Sequence, residues 1–140
     1  MFARFEEIEG FIVKGFSVQN GAWGDIPVQW NKLEQEIDKL NKRPKITYGV
    51  CVSMGDEGLH YVAGLVSNAV KGIRVPDQVL VSAGRYLVGI VEHGIEDIPA
   101  SLEALLNVKG INFRHAPCFE KYLFYDEAEN NEIELWVPIE

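Results

Sequence analysis

The spacing of apolar residues in the first half of the chain predicts one helix among three strands. Residues 10–18 alternate loosely between polar residues and β-branched or aromatic ones, which is typical of a strand. Across residues 27–40 the apolar positions recur every three or four residues, so an amphipathic helix is predicted to begin near Pro27. Residues 46–54 and 59–66 are rich in strand formers and flank a glycine-containing turn, which predicts a hairpin.

The second half of the chain repeats this order of elements. Residues 78–92 predict a long strand that bends at Gly84, and a second helix is expected to begin near Pro99. Two further strands are predicted at residues 113–125 and 133–139, with the polar loop 126–131 between them. Each half therefore has the predicted order strand, helix, strand, strand.

Short sequence echoes support an internal repeat. Asp25-Ile26-Pro27 at the first predicted helix start matches Asp97-Ile98-Pro99 at the second, at a spacing of roughly seventy residues. Chance is the alternative for one tripeptide, but the order of elements repeats as well. We therefore predict one α+β domain over residues 1–140, with βαββ repeats at about 8–70 and about 78–140. A pseudo-twofold axis would relate the repeats, with two main helices on an antiparallel sheet and a cleft between the halves.

The balance of charge narrows the class of partner. The chain has 21 acidic and 13 basic residues, a formal net charge of −8, and its basic residues are scattered. Phosphate recognition needs clustered Lys and Arg, so we expect no direct binding of nucleic acid. A cationic partner suits this charge better, although net charge affects steering and solubility and not the fold.

The sequence also disfavours metal sites and membrane association. Two cysteines with no CxxC or histidine-rich spacing predict neither a disulfide framework nor a metal site, and no cofactor is predicted. The first residues turn acidic where a signal peptide would be apolar, and no apolar stretch is long enough to span a bilayer. We therefore expect a cytoplasmic protein.

Candidate binding residues lie in the last two predicted strands. Because strand side chains alternate between faces, Glu120 shares a face with Tyr122, and Glu134 shares a face with Trp136. A carboxylate beside aromatic rings suits an organic cation, since the rings add apolar area and a negative quadrupole face. Spacing alone leaves open the alternative that both glutamates are solvated on the outer faces of strands.

The same strands carry a resemblance to a known family. Residues 116–123, Ala-Pro-Cys-Phe-Glu-Lys-Tyr-Leu, and 133–139, Ile-Glu-Leu-Trp-Val-Pro-Ile, resemble the ending of gyrase-inhibitor-like, AraC-type effector-binding domains. Residues 84–94 are similar to the strand before that family's second helix, and residues 61–65 to its central hairpin strand. These matches follow the family's order across essentially the whole chain.

The resemblance implies a fold and a set of ligand-binding residues. It implies two βαββ repeats around a cleft, which in multidrug-sensing transcription regulators accepts flat amphipathic cations against a buried glutamate. Glu120 matches that glutamate, Glu134 matches a second acidic position, and Trp136 matches a pocket aromatic. Trp30 and Tyr48 are similarly placed to ring positions of the multidrug-sensing members. The alternatives are a core role for Trp30 and an ordinary strand aromatic for Tyr48.

The resemblance further implies a small-molecule binder and not an enzyme. Regulators of this family carry a helix-turn-helix module ahead of the effector domain, whereas this chain begins with the first predicted strand and is similar to stand-alone proteins encoded on mobile gene cassettes. We expect a sensor or sequestering protein for a small amphipathic cation. The alternatives are a small hydrolase with Glu120 as general base and a protein-binding inhibitor module, and a homodimer stays open.

Overall fold

A computed structural model describes residues 2–124 and 131–140. The strands are β1 Ala3–Ile8, β2 Phe11–Gly21, β3 Ile46–Gly55, β4 Gly58–Val66, β5 Asp77–Val81, β6 Gly84–Val91, β7 Cys118–Leu123 and β8 Glu132–Ile139. The two helices are α1 Ile26–Ile37 and α2 Ile98–Leu106. Apart from Asn131, the predicted polar loop 126–131 lies outside the described residues. Neither helix is long and apolar enough to cross a membrane.

All of these strands belong to one antiparallel sheet with a symmetric order. The spatial order is β1, β6, β8, β7, β3, β4, β2, β5, so β3 and β7 pair at the centre. Outward from the centre, each half contributes its hairpin partner and then its first long strand. Strand β1 precedes the first half in sequence but pairs with β6 of the second half, and β5 precedes the second half but pairs with β2 of the first half. Each of these two strands thus forms one edge of the sheet. The predicted α+β fold of two βαββ units is confirmed.

The strands differ from the prediction in three places. No strand was predicted before residue 10, yet β1 forms at the sheet edge; its side chains are mostly exposed, so it has no apolar pattern to detect. The predicted strand 78–92 is two strands, since Gly84 has φ 134° and the chain crosses there from β5 to β6. The predicted strand 113–125 is shorter, because only a single bridge from Phe113 to Ile139 precedes β7.

The two helices begin alike and pack on the same face of the sheet. Each follows a 3-10 turn that ends in Asp25 or Asp97, and each has a proline in its first turn, where the missing N–H needs no partner. Helix α1 buries Leu33 and Ile37 against β2 and β4, and α2 buries Leu105 against β6 and β8. Because each helix covers only its own half, the centre of this face stays open between them.

The face of the sheet opposite the helices is buried by its own curvature. Its core contains a cluster of aromatic and β-branched side chains, including Val81 of β5 and Tyr86 of β6. These strands lie toward opposite ends of the sheet order, so a common core requires the sheet to curl around it. The molecule therefore has an enclosed aromatic core on one face and a cleft between two helices on the other.

Candidate functional site

The cleft between α1 and α2 lies over the central strands β3 and β7. It contains two adjoining cavities of about 460 Å³ each. The α2 cavity is walled by Leu102, Leu106, Leu135 and Val137, and the α1 cavity by Ile26, Trp30, Thr47, Tyr122 and Phe124. Both cavities share five residues: Trp23, Tyr61, Ile98, Pro99 and Glu120. Among the described residues, no Lys or Arg lines either cavity.

Glu120 is held at the junction of the cavities by phenolic hydroxyls. Tyr61 donates a 2.8 Å hydrogen bond to Glu120 Oε1, and Tyr122 donates one of 2.7 Å to the same oxygen. The indole N–H of Trp30 donates to the Tyr61 hydroxyl at 3.1 Å, and its ring meets that of Tyr122 edge-on at 5.1 Å. Within residues 2–124 and 131–140, no Lys, Arg or His forms an ion pair with Glu120.

The electrostatics of this cluster favour an incoming positive charge. Loss of hydration raises the pKa of Glu120, and the hydrogen bonds from Tyr122 and Tyr61 oppose that shift only in part. Burial also raises the pKa of both tyrosines, and the negative charge of Glu120 adds to the effect. The hydroxyls therefore stay protonated donors, and the cluster holds an acid whose negative charge lacks a positive partner among the described residues.

A close backbone approach at Gly49 makes room for the cluster. Gly49 is the direct partner of Glu120 in the pairing of β3 with β7. A Cβ atom at this position would overlap the Tyr61 hydroxyl and lie 2.6 Å from Glu120 Oε1. The site therefore depends on the absence of a side chain at residue 49.

Glu134 and Trp136 lie on the opposite face of the sheet from Glu120. In the register of β7 and β8, Phe119 pairs with Trp136 and Lys121 with Glu134, so these four side chains share one face. Glu134 accepts 3.0 Å hydrogen bonds from Arg4 and from the Trp136 indole. The grouping of Glu134 and Trp136 with Glu120 in one cleft is thus corrected, because their strand register points them away from it.

Tyr48 is also on the face away from the cleft, while Trp30 is in it. The Tyr48 ring packs 5.2 Å from Phe11 and 5.9 Å from Phe119 in the enclosed aromatic core. Trp136 borders the α2 cavity, but its ring is stacked on Phe119 at 5.3 Å in that same core. Of the five candidate residues, Glu120 and Trp30 meet in the cleft, while Glu134 and Trp136 are joined on the other face of the sheet.

Sequence reasoning missed four aromatic residues of the cleft: Trp23, Tyr61, Tyr122 and Phe124. Tyr61 carries the hydroxyl that links Trp30 to Glu120, and its alternation with Ala63 and Leu65 on β4 was the available signal. Tyr122 donates to Glu120, and the alternation that puts both on one face of their strand was the signal for it. Trp23 lies in a 3-10 turn and is 60 % exposed, so no periodicity marks it. No group of three or more potential metal ligands occurs in the described part of the chain.

Comparison with known proteins identifies a family over nearly the whole chain. Residues 4–139 match the family model Cass2, described as integron-associated effector binding protein. The transcriptional regulator BrlR of Pseudomonas aeruginosa is 28 % identical over 155 residues, an alignment that covers 99 % of this chain and 56 % of BrlR. The chain thus spans about half the length of this curated relative.

Solved structures with the same fold include two cases that cover almost the full chain. The integron cassette protein VCH_CASS2, from the mobile metagenome of Vibrio cholerae, has a TM-score of 0.71 and 19 % identity, and covers 99 % of this chain and 95 % of its own. SAV2435 bound to tetraphenylphosphonium has a TM-score of 0.70 and 18 % identity, and covers 100 % of this chain and 94 % of its own. At such identities these two structures support the fold alone.

Proposed function

The chain belongs to the Cass2 family of integron-associated effector-binding proteins, and we propose that its cleft binds small amphipathic organic cations. Glu120 is the counter-ion in this proposal, and the aromatic rings around it form the walls. The family is described as effector-binding and BrlR as a transcriptional regulator, and neither description is that of an enzyme. The hydrolase alternative therefore has no support among them.

One observation carries the proposal: the Glu120 carboxylate lies between two apolar cavities and its only polar partners in the described residues are neutral hydroxyls. A buried carboxylate without a positive partner is costly, and an organic cation removes that cost by pairing with it. The apolar walls exclude small hydrated ions, which would lose their hydration without gaining apolar contacts. A hydrophobic cation gains both.

The rings of the cleft suit a cation with aromatic or alkyl groups. Trp30, Tyr61 and Tyr122 surround the carboxylate, and exposed Trp23 borders both cavities at the opening between the helices. Ring faces attract a nearby cation and also contribute apolar contact area. SAV2435, whose fold is similar, was solved with tetraphenylphosphonium, which is a cation of this class.

The proposal is tested with ligands that have the same shape and opposite charge. Isothermal titration calorimetry would compare tetraphenylphosphonium with tetraphenylborate, which carries the same four rings around a negative centre. We expect micromolar binding of the phosphonium, about −8 kcal/mol, and no measurable binding of the borate. Equal affinity for the two ions would contradict a counter-ion role for Glu120 and leave only apolar burial.

We further infer that this domain does not itself recognise duplex DNA. Its acidic residues outnumber its basic residues by 21 to 13, and a phosphate-binding surface requires a positive patch. Gel-shift titration of this chain at moderate salt should give no shift that discriminates an inverted-repeat duplex from random sequence. A discriminating shift would contradict the inference.

A further inference from the structure

Two cysteines meet at the centre of the sheet in the floor of the α2 cavity. Cys51 of β3 and Cys118 of β7 are direct cross-strand partners, one from each half of the molecule. Both are half-buried with free thiols, and both line the cavity. As direct partners, the two thiols project from the same face of the sheet. Neither sulfur is needed for the binding of a cation at Glu120.

The strand register places this pair where a disulfide fits poorly. At the end of the same ladder, the amide of Phe124 donates to the Lys45 carbonyl, so Lys45 and Phe124 are a hydrogen-bonded pair. In an antiparallel ladder, hydrogen-bonded pairs recur at every second position along the register. Cys51 and Cys118 are therefore also a hydrogen-bonded pair. The Cβ atoms of such pairs are about 5 Å apart, whereas a disulfide needs about 3.8 Å. A bridge that is one atom longer suits this spacing better.

The two thiols differ in reactivity. Hydrogen bonding with the neighbouring Cys118 lowers the pKa of the Cys51 thiol, whereas the interaction with Cys51 and burial raise the pKa of Cys118. A thiolate is the reactive form of cysteine, so Cys51 is the first nucleophile and Cys118 the second.

We propose that Cys51 and Cys118 form a dithiol site for trivalent monoaryl arsenic compounds, with the aryl group in the α2 cavity. In the reaction, the hydrated arsenical ArAs(OH)2 exchanges both hydroxyl groups for sulfur. Two S–H and two As–O bonds break, two As–S bonds form, and two waters leave. Arsenic stays trivalent, so no oxidant or reductant is required.

The surroundings of the dithiol match this ligand class. An arsenic atom inserted between the sulfurs lengthens the bridge by one atom, so the strands keep their register. Leu102, Leu106 and Val137 wall the cavity above the thiols and offer an apolar surface to an aryl ring. Because the second thiol reacts intramolecularly, the adduct resists a competing monothiol but yields to a competing dithiol.

The test uses phenylarsine oxide and intact mass spectrometry. The reduced protein should gain one phenylarsenic group minus two hydrogens, and the adduct should survive an excess of glutathione but be removed by 2,3-dimercaptopropanol. The variants Cys51→Ser and Cys118→Ser should each lose the glutathione-resistant adduct. Circular dichroism would verify that both variants remain folded.

The outcome is independent of the cation-binding proposal. Formation of the dithiol adduct by a protein that fails to bind tetraphenylphosphonium would contradict the proposed function and leave the dithiol site intact. A glutathione-resistant adduct in either single serine variant would overturn the dithiol site, because one sulfur would then suffice. The same conclusion would follow if the reduced parent protein formed no resistant adduct.

Discussion

Glu120 and Glu134 have similar local sequences but opposite electrostatic situations. Each carboxylate lies on a central strand beside an aromatic residue two positions on, yet they occupy different faces of the sheet. Glu134 is 7 % exposed and is neutralised by Arg4, with a further hydrogen bond from Trp136. Glu120 is partly buried and accepts hydrogen bonds only from tyrosines among the described residues.

The difference shows that aromatic neighbours alone do not mark a cation site. The Arg4 guanidinium lies 5.9 Å from the Trp136 ring centroid, so the molecule's own cation already uses the carboxylate and ring of the Glu134 side. Around Glu120 the same chemistry lacks such a cation: among the described residues, no Lys or Arg pairs with its carboxylate or lies over the rings of Trp30, Tyr61 or Tyr122. A candidate site is thus defined by what the fold leaves without a positive partner.

The largest loss of stability and binding is expected from a substitution at Gly49, the residue opposite Glu120 on the neighbouring strand. Gly49→Ala would force the Tyr61 hydroxyl and the Glu120 carboxylate to move, so it should destabilise the protein by about 1–3 kcal/mol and abolish tetraphenylphosphonium binding. Gly55→Ala is the matched control, because a Cβ atom there has no neighbour within 4 Å. Thermal unfolding and calorimetry check both. Parent-like binding by Gly49→Ala would contradict the geometry described for the cluster.

The direct comparison of the two glutamates comes next. Glu120→Gln deletes the unpaired charge and should weaken phosphonium binding by about 1–3 kcal/mol, with unchanged or slightly raised stability. Glu134→Gln leaves the half-exposed Arg4 without its carboxylate, so it should cost less than about 1 kcal/mol of stability and leave binding almost unchanged. Calorimetry and chemical denaturation measure the two quantities. The reverse order of binding losses would show that the wrong glutamate has been assigned.

The pH dependence of Glu120 should give a smaller, graded effect. Burial raises the pKa of Glu120 above its ordinary value of 4.5. As pH rises above 4.5, this carboxyl ionises in the unfolded chain before it ionises in the folded protein, so the free energy of unfolding falls. The melting temperature of Glu120→Gln minus that of the parent should therefore increase with pH. Phosphonium affinity should rise with pH over the same window, and binding should release a proton, detectable by calorimetry in buffers of different ionisation enthalpy. A pH-independent affinity would contradict the raised pKa.

The smallest effect is expected at the opening of the cleft. Trp23 is 60 % exposed and borders both cavities, so Trp23→Ala should weaken phosphonium binding by about 1 kcal/mol with little change in stability. Leu80→Ala, at a similarly exposed apolar residue of β5, serves as the control. An equal loss of affinity in both variants would assign the effect of Trp23 to general surface hydrophobicity.

Most of the fold could be predicted from the sequence because its elements have strong local signals. The helices were found from apolar spacing and proline, and the echo of Asp25-Ile26-Pro27 at Asp97-Ile98-Pro99 marks the starts of both. Strand β1 could not be found in this way. It lies at an edge with mostly exposed side chains, and its position is fixed by pairing with β6, about eighty residues away in sequence.

The site was predicted only as far as alternation within a strand allows. Alternation correctly placed Glu120 and Tyr122 on one face of their strand. Which face of β8 lies beside Glu120 depends on the register between two strands, and a shift of one residue would exchange the faces. No local pattern encodes that register, so the sequence could not show that the Trp136 ring lies on the face away from Glu120.

The glycine opposite Glu120 also limits the negative charge at the centre of the cleft. The two central strands come from different halves, and at the point where they meet one carries a carboxylate and the other has no side chain. The meeting point therefore holds a single negative charge, and the volume of that carboxylate occupies the space that a second one would need. A single positive charge is neutralised there, whereas the second charge of a dication would have to reach Glu34 in the α1 cavity or Glu103 in the α2 cavity to avoid the cost of an unpaired charge.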